Sequence, residues 1–394
     1  MSEHLSGPFG MALGCVLGFY CSVTLLHAFI PAVSCDGYAC DGKGRALRYR
    51  LNGPVLVLIV YGAWWALPPT ATTFAARHYF ACLAAANVVG FLASLVLLKL
   101  PVREPAFRCL TVDQKALRQQ AALGESVATT WAPSRNALQH FFFGVAFNPR
   151  LQGVDLKMLL YALGATALEW ILLSAVALRI EVHGTQSVAM RTHTAMFAWF
   201  IIEYMCLEVV HLFTYDLFCE KLGFKLTWGC LVFYPFFYCI GVWPLVVAPP
   251  EADLSPTSAA YIVGVFLCGW VLTRGANMQK FVYKRSDGER KVWMGLRMRV
   301  VPSTRLLVTG FWGLSRHVNY MGEILQATAL ALPGSLVAST AYYRWLPWLY
   351  PLYYVLLFVP RQIDDDAQLR AKYGEERFAE YVRRVPYRIV PGLY

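Results

Sequence analysis

FWGLSRHVNYMGEI, residues 311–324, stands at the head of a long apolar stretch and sets Arg316, His317, Asn319, Tyr320 and Glu323 within eight positions. On a helix, Arg316, Asn319, Tyr320 and Glu323 fall at i, i+3, i+4 and i+7, which is one face, with His317 beside it. Leu314, Met321 and Leu325 take the other sides. Polar groups at membrane depth are costly, and each ionisable one there is a functional hypothesis. The pattern predicts a membrane helix whose polar stripe lines a cavity at its mouth. The plainer alternative is interfacial snorkelling with interhelical hydrogen bonds.

The rest of the chain supplies the membrane. Of 394 residues, 57% are hydrophobic and 15% charged, against roughly a quarter charged in soluble domains. Apolar runs predict spans at about 11–32, 54–67, 79–100, 158–180, 194–215, 226–248, 258–275, 306–334 and 337–360. The fold class expected is an all-α, polytopic transmembrane helix bundle. It forms one membrane domain over 1–394, with N-terminal helices over 1–215 and a C-terminal half over 216–394. Residues 11–32 read as a retained helix, since no basic n-region or clear cleavage site precedes them. The loop at 101–157 keeps apolar runs such as HFFFGVAF, which suit a membrane-surface or re-entrant element.

Net charge is +11. Lys and Arg gather at 43–50, 99–118 and 280–305, whereas 248–257 has no basic residue. This alternation places the basic loops and the tail 361–394 on the cytosolic side. Nucleic acid is excluded as a partner, because no soluble basic domain exists to carry it. Cys35 and Cys40 then face a reducing compartment, so no disulfide is expected. The remaining cysteines mostly sit in apolar runs, and without a CxxC pair or an HExxH motif no metal site is expected.

Three further clusters need explaining. RQIDDDAQLRAKYG, 361–374, sets Arg361 and Asp365 at i, i+4, with Lys372 and Tyr373 about two turns later. Arg binds phosphate through bidentate hydrogen bonds, although a solvated Arg–Asp pair is the commoner outcome of such spacing. NMQKFVYKR, 277–285, puts Lys280 and Lys284 on one helical face. Positive-inside anchoring explains that cluster equally well. Inside the span 194–215 lie Glu203, Tyr204, Glu208 and His211, and Asp216 ends it. A buried carboxyl that keeps its proton can serve as a general acid, or it can make a structural hydrogen bond. Together the clusters suggest a phosphate-bearing cofactor from the cytosol and an apolar substrate from the bilayer. No GxGxxG follows a strand, so a Rossmann domain is not indicated.

These residues bring out a resemblance. GRALRYRLNG (44–53), FNPRLQGVDLKM (147–158), DLFCEKLGFKLTWG (216–229), PFFYC (235–239), NMQKFVYK (277–284), LLVTGFWGLSRHVNYMGEI (306–324) and DDAQLRAKYGEERFAEYVRRVPYRIVPGLY (365–394) resemble, in order, the sterol reductase family. That family includes sterol C14-reductase, 7-dehydrocholesterol reductase, the C24(28)-sterol reductases and the membrane part of the lamin B receptor. The resemblance implies a bundle of about ten helices in the endoplasmic reticulum membrane, with an NADPH pocket in the C-terminal half facing the cytosol. The tenth helix would be hidden in 101–157 or at a split span. It implies cofactor contacts at Lys280, Lys284, Leu307, Trp312, Arg316, His317, Asn319, Tyr320, Glu323, Arg361, Asp365, Lys372 and Tyr373. Glu203, Tyr204, Glu208 and Asp216 would lie on the sterol side.

The implied chemistry is protonation of a sterol alkene followed by hydride transfer from NADPH to the resulting cation. The donor candidates are Tyr204, Glu203, Glu208 and Asp365. The C14 double bond is preferred, with C7 and C24(28) as alternatives. The sequence departs from the family pattern at four points. Lys284 stands for Arg, Glu323 for Asp, Leu207-Glu208 for Asn-Glu, and Gly229-Cys230 for Gly-Asp. Two rivals remain. A membrane methyltransferase would share an RHPxY motif, but Val318 replaces its proline. A structural protein like the lamin B receptor would need a basic N-terminal region, and 1–10 is too short for one.

Overall fold

A computed structural model describes residues 3–40, 45–99, 136–214, 217, 220–286 and 288–394. Its main helices are α1 (Glu3–Phe29), α2 (Gly53–Ala66), α3 (Tyr79–Lys99), α4 (Leu156–His183), α5 (Val188–Cys206), α6 (Phe224–Val247), α7 (Pro256–Arg285), α8 (Val318–Val337), α9 (Leu349–Tyr373) and α10 (Glu375–Arg384). A two-stranded antiparallel hairpin, β1 (Val33–Cys40) with β2 (Ala46–Leu51), lies between α1 and α2. Among the described residues five helices (α1, α3, α4, α6 and α7) are long and apolar enough to cross a membrane, and α2 is a shorter apolar helix. The protein is a multi-pass helical membrane protein, as its composition predicts.

Three predicted spans differ in the structure. The span at 194–215 stops at Cys206, because Leu207 leaves helical geometry (φ −107°, ψ 31°) and only a single turn, Glu208–His211, follows. The span at 306–334 begins only at Val318. Gly310 at φ +67° and a tight turn at Gly310–Gly313 keep the preceding residues out of the helix. Arg316 therefore stands ahead of α8, and the polar stripe read across 316–323 is a non-helical Arg316 and His317 followed by a helical Asn319, Tyr320 and Glu323. The span at 337–360 is broken up to Trp348, and the helix that follows continues through 361–373. The element sought within 101–157 lies largely outside the described residues. Its described end holds one short helix, Ala137–Phe143.

The chain divides into two compact units, residues 1–185 with 197–239, and residues 186–196 with 240–394. In the first, α4 is the central helix. Its apolar window is 83% buried, against 17% for α1, and the helix buries Lys157, Glu169 and Arg179 along with its apolar residues. Gly164 lets α6 approach α4, since a Cβ there would meet Cys230 O at 2.6 Å. Asp155 caps α4 by accepting from the Lys157 and Met158 amides at 3.1 Å each. Burial holds the Asp155 carboxyl above its ordinary range, against the pull of Arg150 and those amides. Arg150 in turn lies over the Tyr49 ring at 4.7 Å. The GRALRYRLNG and FNPRLQGVDLKM stretches thus build the hairpin and the start of α4. In the second unit, α7 and α8 cross at a pair of glycines. A Cβ on Gly322 would lie 2.6 Å from Gly269 O, and one on Gly269 would lie 2.7 Å from Gly322 O.

Candidate functional site

In the second unit the polar groups are assembled around the start of α8. The α7–α8 crossing sets the first of them. Thr273 Oγ1 donates to Asn319 O at 3.1 Å, and Gln326 Nε2 donates to Thr273 Oγ1 at 3.3 Å. Asn319 Oδ1 is buried and has no hydrogen-bond partner among the described residues. Gln326 Oε1, about two turns further along α8, is open in the same way.

The loop before α8 is pinned from α7. Gln279, fully buried, donates from Nε2 to Thr309 O at 2.9 Å and accepts from the Phe311 amide at 3.0 Å. Gly310 is required beneath it, because a Cβ there would meet Gln279 Nε2 at 2.6 Å. Trp312 Nε1 donates to Ala276 O at 2.8 Å, and the exposed Lys280 carries its Nζ 4.7 Å above the Trp312 ring. Leu307 is buried in the apolar cluster of Ala276, Tyr283, Met298, Trp312 and Val318.

Arg316 is buried and its guanidinium faces inward. Nε donates to Asp366 Oδ1 at 3.3 Å and Nη2 to Asp366 Oδ2 at 3.0 Å. Nη1 donates to Val385 O and Pro386 O, both at 2.9 Å. Burial alone would raise the Asp366 pKa. The proximity of His317, the hydrogen bonds from Arg316 and the guanidinium charge outweigh it and hold the carboxyl below its ordinary range. His317 sits between two carboxylates, with Nδ1 3.9 Å from Asp365 Oδ2 and Nε2 3.5 Å from Asp366 Oδ1. Tyr320 donates its hydroxyl to Asp365 Oδ2 at 2.6 Å. The rings of His317, Tyr320, Phe358 and Tyr354 stack in a column, with successive centroids 5.1, 4.2 and 5.1 Å apart.

The structure thus brings Arg316, His317, Tyr320 and Asp365 together and pairs Lys280 with Trp312. Glu323, Lys284 and Arg361 are half-buried on α8, α7 and α9. Lys372 lies over the Tyr373 ring at 5.2 Å, and Tyr373 packs against the cluster of Val301, Leu306, Phe378, Tyr381 and Val385. Sequence reasoning missed Asp366. Three consecutive acids at 364–366 held the signal, since a buried Arg316 needs a carboxylate. Reading Arg361 and Asp365 as an i, i+4 pair drew attention to the neighbouring acid instead.

In the first unit, Glu208 is buried and its Oε2 accepts from the Gly53 amide at 2.8 Å. It serves the first turn of α2, where backbone donors have no partner within the helix. Gly53 is itself needed, since a Cβ there would lie 2.8 Å from Glu208 Cδ. The Tyr204 ring packs on His211 at 3.9 Å, and His211 Nε2 lies 3.1 Å from Tyr204 O. Glu203 is half-buried one residue earlier. Asp216 lies outside the described residues. The first unit also holds an apolar cavity of about 470 Å³, lined among others by Val16, Tyr20, Leu56, Val60, Trp170 and Phe236. Glu203, Tyr204 and Glu208 are not in its lining.

The chain is similar along its length to known proteins. The chain is 29% identical over 399 residues to the Delta(14)-sterol reductase of Arabidopsis thaliana, covering 98% of this chain and 99% of that one. It is 35% identical over 266 residues to the Delta(14)-sterol reductase of Methylotuvimicrobium alcaliphilum, covering 66% of this chain but 60% of the relative's length. It is 26% identical over 392 residues to the 7-dehydrocholesterol reductase of Xenopus laevis, covering 94% of this chain and 76% of the relative. Residues 8–394 match the ergosterol biosynthesis ERG4/ERG24 family, and the chain belongs to that family.

Proposed function

We propose that the protein is an NADPH-dependent sterol reductase of the endoplasmic reticulum membrane, acting on the C14 double bond. The observation that carries the reading is similarity to a protein named Delta(14)-sterol reductase along nearly the whole of both chains. The 7-dehydrocholesterol reductase relative keeps reduction at C7 as the second reading.

The second unit's residues fit the cofactor's chemistry. The open acceptor Asn319 Oδ1 suits an amide donor. The exposed Lys280 and the half-buried Lys284 and Arg361 suit phosphate. His317 and Tyr320 offer stacked polar rings. Arg316 acts from behind this wall, because its donors go to Asp366 and the carbonyls of 385–386. When bound, NADPH supplies hydride, and the protein's part is to hold, orient and exclude water. The proton-donor candidates are Tyr204, taken first, then Glu203, Glu208, whose Oε2 accepts from the Gly53 amide, and Asp365, whose Oδ2 accepts from the Tyr320 hydroxyl. The sterol reaches the protein from the bilayer, and the tail faces the cytosol.

The test is an NADPH-dependent assay on purified protein with separate sterols unsaturated at C14, C7 and C24(28). Mass spectrometry reads a gain of two hydrogens. Reduction of the C14 substrate, lost in Tyr204→Phe, is the expected result. Reduction of the C7 substrate alone would replace the first reading by the second. An absence of NADPH binding would remove both.

A further inference from the structure

We propose that residues 385–394 form a strap that positions the backbone of Ser315, Arg316 and His317, and that Tyr394 is its latch. The cofactor part of this inference rests on the function proposed above.

The strap runs beneath the start of α8 and meets it at every step. The Arg316 amide donates to Tyr387 O at 2.9 Å and the His317 amide to Arg388 O at 2.8 Å. Ser315, fully buried, donates from Oγ to Ile389 O at 2.8 Å. The Arg316 guanidinium adds Val385 O and Pro386 O. Three consecutive residues of an irregular loop are thereby tied to five consecutive carbonyls, from Val385 to Ile389. His317 is the N-cap of α8: its carbonyl accepts from the Tyr320 amide at 2.9 Å, while its own amide, which the helix leaves without a partner, is taken by the strap.

The strap is closed on itself. Val390-Pro391-Gly392-Leu393 makes a tight turn, with the Leu393 amide donating to Val390 O at 3.1 Å and Gly392 at φ +82°. Proline second and a positive-φ glycine third is the sequence such a turn demands. The turn brings Tyr394 back over the strap. Its main-chain oxygen accepts from the amides of Arg388, Ile389 and Val390 at 2.8, 2.9 and 3.1 Å. Consecutive amides converging on one oxygen form a backbone nest. The Tyr394 hydroxyl accepts from Gln362 Nε2 at 3.1 Å and Arg388 Nη1 at 3.3 Å. The Arg388 guanidinium lies over the ring at 5.6 Å, and its Nε is 4.0 Å from Asp366 Oδ2. One residue thus ties together the strap, α9 and the Arg316–Asp366 pair.

Amide hydrogen exchange on the full chain tests this, because exchange reports local opening residue by residue. The variants are Tyr394→Ala, Gly392→Val, Ser315→Ala and Tyr394→Phe. Tyr394→Ala, Gly392→Val and Ser315→Ala should speed exchange at Arg316 and His317 about tenfold or more, while α4 amides stay unchanged and report an intact fold. Tyr394→Phe keeps the ring over Arg388 but loses the hydroxyl's bonds to Gln362 and Arg388, so its exchange should fall between that of the parent and that of Tyr394→Ala. NADPH affinity is measured on the same samples. It should fall about tenfold in Tyr394→Ala, a 1.4 kcal/mol change, with kcat within about twofold. Unchanged exchange at both amides in Tyr394→Ala and Gly392→Val overturns the strap. Faster exchange with unchanged NADPH affinity overturns its positioning role. A parent that binds no NADPH sinks the reductase reading alone, and the exchange data then decide the strap by themselves.

Discussion

Arg316 and Asp366 face each other through two hydrogen bonds, Nε to Oδ1 at 3.3 Å and Nη2 to Oδ2 at 3.0 Å, with side chains 3% and 12% exposed. Breaking such a pair on one side leaves a buried charge without its partner, which costs about 3–5 kcal/mol. Asp366→Ala should therefore lower stability by about 3 kcal/mol, read by denaturant titration in detergent. A loss below about 1 kcal/mol, the scale of an exposed pair, would show that water reaches Arg316 freely.

The same pair makes stability depend on pH. The folded-state pKa of Asp366 lies below its ordinary value of 3.8. A depressed acid contributes stability that is fully present above the unfolded-state value and is lost as pH falls through the folded-state value. The parent should exceed Asp366→Ala by a constant margin from about pH 7 to about pH 5, and the margin should shrink below about pH 4. A margin that grows on acidification contradicts the assignment.

The glycine crossing gives a packing test. Gly322→Ala sets a methyl against Thr273 and Gly269 O and should cost about 1–3 kcal/mol. At Gly62 in α2 an added Cβ would meet nothing within 4 Å, so Gly62→Ala should be neutral or stabilise by about 0.5–1 kcal/mol. Equal effects at both positions would mean that α7 and α8 separate easily.

Gln279 holds both sides of the loop ahead of α8. Gln279→Ala orphans the Phe311 amide and Thr309 O, a loss of about 1–3 kcal/mol. Faster exchange at Phe311 is expected and, on the proposed function, weaker NADPH binding with it. Retained protection at Phe311 would place the loop's support elsewhere.

Glu208 separates structure from chemistry. Glu208→Gln keeps an oxygen for the Gly53 amide and should retain both stability and turnover. Glu208→Ala should lose about 0.5–2 kcal/mol, as cap deletions do. A stable but inactive Glu208→Gln would return proton donation to this carboxyl.

The membrane class and most helices were legible because apolar length is a direct physical signal. The Lys280 and Lys284 face was legible as well, since α7 is regular there. The start of α8 was not. The spacing of Arg316, Asn319 and Tyr320 fits a helix perfectly well, yet Gly310, Gly313 and the strap carbonyls hold residues 310–317 in another conformation. Periodicity cannot register contacts made with a distant part of the chain. Asp366 escaped for the same reason, because only the fold shows which of Asp364, Asp365 and Asp366 meets Arg316. The bend at Leu207 left no local sign beyond the residue itself.

The burial of α4 bears on how the chain is assembled during synthesis. α1 shows lipid an almost unbroken apolar surface and can enter the bilayer alone. α4 carries Glu169 and Arg179, 2% and 1% exposed, and Tyr61 of α2 donates to Glu169 Oε1 at 2.5 Å. Such groups are expensive in lipid without neighbours, so α4 gains its place only after α1 and α2 are waiting for it. Glycosylation mapping of insertion should find α4 poorly integrated by itself and well integrated behind residues 1–99. The most protected helix of the first unit is then the one that most depends on its neighbours for delivery.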